Sequence, residues 1–358
     1  MWLIVNAGSS SLKLKIFDGE REVAKAFVGE IGPDGHRAAM QAGLAQTGVS
    51  PERLTAAAHR VVHGGARLTA TCRVTPEVVR EIEACIPLAP LHNPANLVGI
   101  QSVAGLAPQL PQYASFDTAF HATNPEVAVT YALPKAERDR GLRRYGFHGI
   151  SFAALVRILR QGGQLPGRLL ACHLGNGCSL AAIVNGRSVA TTMGYSPLDG
   201  LTMGTRTGGI DGNAVLRLAD LHGIDRAGTI LNRESGLLGL GGASDLRALH
   251  AAGTPEAQFA LRHFAYWAVR HAGSMVAAMG GLDAIVFTGG IGENDPWMRN
   301  EILSGLGFLG VSSDPGRNAR NESMLHDATS RVAILVVPAD EERQIALEAQ
   351  AVMAGEGA

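Results

Sequence analysis

Cysteine, aromatic side chains, excess charge and long apolar runs are all scarce in this sequence, and each shortage removes a class of protein. The four cysteines (Cys72, Cys85, Cys172, Cys178) among 358 residues have no CxxC or zinc-type spacing. A disulfide scaffold and a structural zinc site are therefore excluded, and reduced thiols in a cytoplasmic protein are expected. Lysine plus arginine number 31 against 32 acidic residues, a formal charge of -1, so no global field exists to grip nucleic acid or an anionic membrane. Aromatics at 5% argue against a large aromatic interface. No apolar stretch approaches the roughly 20 residues that cross a bilayer. The short apolar run at the N-terminus has no basic segment before it, so it fails as a secretory signal. Neither GxxxxGK[ST] nor a GxGxxG opening a βαβ unit is present, which disfavours P-loop and dinucleotide sites.

Apolar material and glycine are plentiful. At 46% hydrophobic and 18% charged, the chain can bury a sizeable core, so its bulk is not disordered. Its length exceeds one ordinary core and predicts two domains. The 45 glycines point to tight turns and close backbone approaches.

Strand patterns come in two triplets. The first is Trp2 to Asn6, Leu12 to Phe17 (alternating Leu-Lys-Leu-Lys-Ile) and Glu22 to Val28; the second is Leu169 to Leu174, Ser179 to Val184 and Arg187 to Thr192. In both, a glycine turn and an Asx-Gly hairpin lie ten residues apart: Gly8 to Asp18, and Gly175 to Asn185. An internal duplication, or a chance match of two hairpins, accounts for that spacing. Alternating helix and strand patterns after each triplet indicate an α/β class. The clearest helix opens at Thr254-Pro255-Glu256 and runs to Gly280. Ala284 to Thr288 and Val332 to Val337 read as buried strands, and a last helix starts near Asp340.

Three glycine-rich turns follow strands: Gly8-Ser9-Ser10-Ser11, Gly175-Asn176-Gly177 and Gly289 to Gly292. Such turns can offer several backbone N–H groups to phosphate. Histidine and arginine concentrate beside turn residues in HRVVHGG from His59, LHNP from Leu91, FDTAFH from Phe116, RYGFHG from Arg144 and MGTRTG from Met203. Zinc spacing is absent, so this association favours handling of an anion.

These segments carry a resemblance to the acetate kinase family, within the superfamily that also holds sugar kinases, actin and the heat-shock chaperone ATPases. The matching stretches are NAGSSSLK, HRVVHGG, APLHNP, FDTAFH, RYGFHG, HLGNG, GYSPLDGLTMGTRTG, FTGGIGEN and the Ala339 to Glu342 segment, spread from residue 6 to 342 in family order. The resemblance implies a duplicated RNase H-like α/β fold with an active-site cleft between two domains: residues 1–119 with a returning helix at 339–358, and a nucleotide-binding domain at 120–338. It implies reversible transfer of the ATP γ-phosphoryl to acetate, Mg2+ or Mn2+ as cofactor, ATP/ADP as co-substrate, a cytoplasmic homodimer, and no nucleic-acid or membrane partner.

Residue by residue, the resemblance makes Arg60 and Arg206 the active-site arginines. Such groups suit a loose, highly charged phosphoryl transition state, because guanidinium is always charged and grips oxygen pairs. It makes His148 the transition-state histidine and His92 an orienting or supporting one. Asp117 matches an aspartate often described as the base. A carboxylic acid with a pKa near 4.3 is already ionised at neutral pH, however, so no proton needs removing; Asp117 is expected instead to hold magnesium, a water or an active-site arginine. Val62, Leu91, Phe147 and Pro197 match the methyl pocket. Nucleotide contacts are implied for Ser10, Ser11, Lys13, His173, Gly175, Asn176, Gly177, Asp245, Leu246, Arg247, Gly289, Gly290, Ile291, Gly292 and Asn294, and magnesium contacts for Asn6 and Glu341.

Four positions depart from the family pattern: Ala190 and Gly209 stand for acids, Asp199 for Glu and Gly212 for proline. The chain is also shorter than most members. Two rival readings are a propionate or butyrate kinase and an actin-like ATPase module without a carboxylate acceptor.

Overall fold

The computed structural model describes residues 1–32 and 35–356. The chain divides into two units, each built on its own mixed sheet. The first comprises Met1–Ala122, Phe147–Arg157 and the C-terminal segment from Asp340; the second comprises Thr123–Gly146 and Ile158–Ala339. This differs from the boundaries expected at 119 and 338 chiefly in one internal segment, Phe147–Arg157, which carries His148. The Gly149 N–H donates to Asp117 O at 2.7 Å, and Ile150 packs with Trp2, Ile4 and Phe17. Those contacts place the segment with the first sheet, against its order in the chain.

The first unit contains β1 (Trp2–Ala7), β2 (Leu12–Asp18), β3 (Arg21–Val28), β4 (Ala56–Val61), β5 (Cys72–Arg73) and β6 (Gln112–Phe116), in the sheet order β3-β2-β1-β4-β6-β5. The first three strands form an antiparallel meander, while β4 runs parallel to β1 and β6 parallel to β4. Both faces are covered. Leu3, Val5, Leu12, Leu14 and Ile16 pack with Ala39 and Met40 of the helix His36–Thr47; Trp2, Ile4, Phe17 and Ala58 pack with Ile345, Ala346 and Ala349 of the helix Glu341–Glu356. The alternation in β2 sets its two sides, with Leu12, Leu14 and Ile16 buried and Lys13 exposed. Each fully buried Leu or Ile stabilises by about 1.5–3 kcal/mol, which fixes the register and therefore where the strand ends fall.

The second unit repeats the plan with β7 (Arg168–Leu174), β8 (Cys178–Val184), β9 (Arg187–Thr191), β10 (Ala284–Thr288) and β11 (Ala333–Val336). Its order, β9-β8-β7-β10-β11, matches β3-β2-β1-β4-β6 in the first sheet, again with an antiparallel meander followed by two parallel strands. A shared sheet order, rather than a chance pair of hairpins, explains the ten-residue spacing: the fold is a duplication. The Asn185-Gly186 turn has positive φ at both residues, as a tight hairpin requires.

The long helix spans Pro255–Met279. Thr254 Oγ1 caps it by accepting the Ala257 N–H at 3.2 Å, and Gly280 ends it at φ +67°. Gly289 to Gly292, expected as a turn, lie within a short helix, Gly289–Asn294, directly after β10. Gly289 has φ +80°, and a Cβ there would lie 2.7 Å from Leu174 O, so only glycine turns the chain this sharply against β7. All four cysteines are free thiols, and burial pushes Cys178 up to about 12.

Candidate active site

In the first unit the chemistry gathers where β1, β4 and β6 end. Arg60, on β4, forks onto Asp117 just beyond β6. Its Nη2 and Nε donate to Asp117 Oδ2 at 2.6 and 3.1 Å, and Nε also reaches Oδ1 at 3.3 Å. Arg60 Nη1 donates to Asn6 Oδ1, on β1, at 3.3 Å. Burial alone would lower the Arg60 pKa, but the charge of Asp117, with Glu341 and Glu342 behind it, raises it instead. Of the three partners the sequence left open for Asp117, the one found is the arginine.

His148 directly precedes Gly149, whose N–H bonds Asp117 O. The φ of His148 is +58°, a left-handed conformation that costs a non-glycine residue roughly 1–3 kcal/mol. The flanking residues hold it there: His121 Nε2 donates to Phe147 O at 2.9 Å, and the Gly149 N–H bonds Asp117 O. A Cβ on Gly149 would lie 2.3 Å from that oxygen, so the glycine is what lets the two turns close. Burial lowers the His121 pKa to about 4, keeping the imidazole neutral as it donates.

The turn after β4 is tied to the helix Asn93–Leu106, whose N-cap is His92. Asn96 Oδ1 accepts the Val62 N–H at 3.0 Å while its Nδ2 donates to Ala7 O at 2.8 Å; Asn93 exchanges two such bonds with the His63 backbone, at 3.1 and 3.0 Å. Val62 and Phe147 are buried, with the His63 ring edge-on to Phe147 at 5.4 Å, whereas Leu91 is 40% exposed. Lys13 Nζ donates to Glu342 at 2.8 Å, and Lys15 pairs with the same carboxylate. Desolvation raises the Glu342 pKa, yet the two lysines leave it lowered overall.

The second unit presents an arginine of a different kind. Half-buried Arg206 donates from Nη1 to Pro197 O at 3.1 Å and lies 3.8 Å from Met203 Sδ. Burial lowers its pKa, but a guanidinium stays charged; among the described residues it forms no ion pair. Its turn is packed against the glycine turn after β7: the Gly204 N–H reaches Asn176 O at 3.4 Å, and a Cβ on Gly204 would lie 2.7 Å from Asn176 Oδ1.

Next to these turns is a cavity of about 860 Å³ lined by Gly175, Asn176, Ser244, Asp245, Leu246, Arg247, His250, Gly290, Ile291, Asn294, Asp295, Pro296 and Trp297. Asp245 caps the helix Leu246–Ala252 and pairs with Arg247, whose hydrogen bonds hold the Asp245 pKa down to about 2.

The acetokinase family model matches residues 38–347. The chain belongs to the acetokinase family. The acetate kinase of Bacteroides fragilis is 39% identical over 393 residues, covering 98% of this chain and 99% of the relative. Among solved structures, the Porphyromonas gingivalis acetate kinase superposes with a TM-score of 0.90 at 35% identity, covering 98% of this chain and 99% of that one. A propionate kinase from Francisella tularensis gives 0.90 at 34% identity, covering 97% and 98%.

Within this acetokinase, eight expected nucleotide residues line the cavity: Gly175, Asn176, Asp245, Leu246, Arg247, Gly290, Ile291 and Asn294. His173, Gly177, Gly289 and Gly292 do not line it; Gly289 and Gly292 are buried, their backbones pressed toward β7 and β10. Ser10, Ser11 and Lys13 belong to the first unit, and Lys13 is occupied by Glu342. Sequence reasoning passed over Ser244, His250, Asp295 and Trp297 in the cavity, and Asn93 and Asn96 behind Val62. The asparagines left a signal, two amides three apart at a helix start. The cavity residues left none, since 250 and 297 are remote in the chain.

Proposed function

We propose that this acetokinase transfers the γ-phosphoryl group of ATP to acetate, reversibly, giving acetyl phosphate and ADP. The observation that carries the reading is the half-buried Arg206, whose charge has no acidic partner among the described residues. A lone guanidinium held away from water favours an anion strongly, and a phosphoryl group in transfer is such an anion. Arg60 meets the same need with its direction fixed by Asp117, so it is preorganised. His148 donates a hydrogen bond to an equatorial phosphoryl oxygen, with His92 supporting. The acetate oxygen attacks phosphorus as a carboxylate, so Asp117 acts by orienting Arg60 and not by taking a proton.

Val62, Phe147, Leu91 and Pro197 receive the methyl group. The cavity in the second unit is sized for a nucleotide, with Asn176, Gly290 and Ile291 among its contacts. Among the described residues no group of three His, Cys, Asp or Glu side chains suits a metal ion. Asn6 and Glu341 would supply hard oxygens to Mg2+, a cation that keeps several waters and binds through substrate phosphates; when bound it would neutralise phosphate charge.

The protein is proposed to be a cytoplasmic homodimer. The helix Gly212–His222 buries none of its residues, and Leu216, Leu221 and the following Ile224 stand exposed, a surface that suits a second copy. Among the described residues no helix is long and apolar enough to cross a membrane.

Similarity to a propionate kinase favours one alternative acceptor. One methylene is worth about 1–3 kcal/mol in such a pocket, so propionate is expected to react about 10- to 200-fold more slowly. A hydroxamate assay with acetate, propionate and butyrate tests this. Faster phosphorylation of propionate than of acetate would overturn the acetate reading, and ATP hydrolysis without any acid acceptor would overturn the kinase.

A further inference from the structure

The cavity of the second unit has an aromatic side. His250 and Trp297 meet edge to face, 5.2 Å between centroids at 76°. They come from the ends and starts of different helices, Leu246–Ala252 and Pro296–Gly305. An edge-to-face contact covers at most one face of a ring. Trp297 remains 39% exposed, unlike Met298, which is fully buried one residue later.

The pair is held in place. Asp295 caps the second helix through Oδ1, which accepts the Met298 N–H at 2.9 Å, and its Oδ2 lies 3.0 Å from His250 Nε2. With a carboxylate as partner, that nitrogen is the donor, which fixes the imidazole plane. A partly exposed indole in the cavity wall, beside a constrained imidazole, suits a flat aromatic ligand. At another part of the same cavity, Gly175 and Gly290 leave the backbone uncovered by side chains, and a Cβ on Gly290 would meet nothing within 4 Å. That part admits groups which need close backbone contact, as phosphates do.

Resting on the proposal that this cavity takes ATP, we infer that Trp297 stacks on the nucleobase, with His250 and Asp295 as the residues that position it. The ligand class is a nucleoside di- or triphosphate, distinguished from bare polyphosphate by its base. Arg247, which lines the same cavity, is paired with Asp245.

The test compares wild type, Trp297→Ala, Trp297→Phe and Asp295→Asn for ATP and acetate KM, and for competition by inorganic tripolyphosphate. Base–aromatic stacking predicts that Trp297→Ala raises the ATP KM about tenfold. Trp297→Phe should restore it to within about twofold, and the acetate KM and tripolyphosphate inhibition should hold steady. A wild-type ATP KM in Trp297→Ala, or an equal loss of tripolyphosphate affinity, would overturn the assignment. ADP should also quench the indole fluorescence of the wild type by an amount that Trp297→Phe loses. Because quenching needs no turnover, its presence in a protein that makes no acetyl phosphate would separate failure of the acetate reading from failure of this one; its absence would count against Trp297.

Discussion

The two sheets share one topology yet arm equivalent strand ends differently. Val5, His59 and Ala114 lie in register across β1, β4 and β6, as Cys172, Phe287 and Val336 do across β7, β10 and β11. One residue further along, the first sheet carries Asn6 and Arg60, and the second carries His173 and Thr288. The first therefore ends in a forked ion pair, Arg60 on Asp117, with Asn6 as a third member. The second ends in glycine turns, and its arginine, Arg206, sits in a separate loop with a carbonyl and a thioether for company. Duplication supplied the scaffold; divergence gave one half a directed charge and the other a cavity and, in a separate loop, an arginine without an acidic partner among the described residues.

The comparison breaks most readily at the arginines. Arg206→Ala and Arg60→Ala should each lower kcat/KM for acetyl phosphate formation by about a thousandfold, the low end for an arginine acting on a transferring phosphoryl. ATP binding, followed by calorimetry, should stay near wild type in both. Retention of near-wild-type turnover by either variant would remove that unit from the chemistry.

A smaller effect separates charge from direction. Asp117→Asn leaves Arg60 charged but loosens its fork, and a loss of about a hundredfold in kcat is expected, smaller than that of Arg60→Ala. Were Asp117 a general base, kcat would instead rise with pH in the wild type and become pH-independent in the variant.

The smallest effect is on stability and belongs to the first unit. Burial lowers His59, His63 and His121 to about 4, while in the unfolded chain they titrate near 6.5. Between those values the unfolded state binds more protons. The contribution of these residues is therefore complete above about pH 6.5 and declines as pH falls toward 4. Thermal melts should show Tm dropping between pH 7 and 5, by about 2–4 °C for each kcal/mol lost. His121→Asn should flatten that slope; an unchanged slope would assign the acid sensitivity elsewhere.

Much of this was legible beforehand because it is local. Alternating Leu and Lys in β2, the Thr-Pro-Glu start at 254 and the Asn-Gly turn at 185 each encode their structure within a few residues. Contiguous motifs likewise pointed to Arg60, Asp117, His148 and Arg206. Domain membership of Phe147–Arg157 was not legible, because a hydrogen bond from Gly149 to Asp117 spans 32 residues of chain. Nor was the short helix at Gly289, which a run of glycines reads as a turn.

The sequence by itself determined the α/β class, the paired hairpin turns and the types of group available for anion chemistry, since periodicity and turn residues act over short range; the shared sheet order decided the duplication. Tertiary structure alone decided which carboxylate Arg60 would face, that Arg206 would face none, and that His250 and Trp297 would share one cavity. Those outcomes depend on strand register and helix packing, which bring together residues whose separation along the chain carries no trace of the meeting.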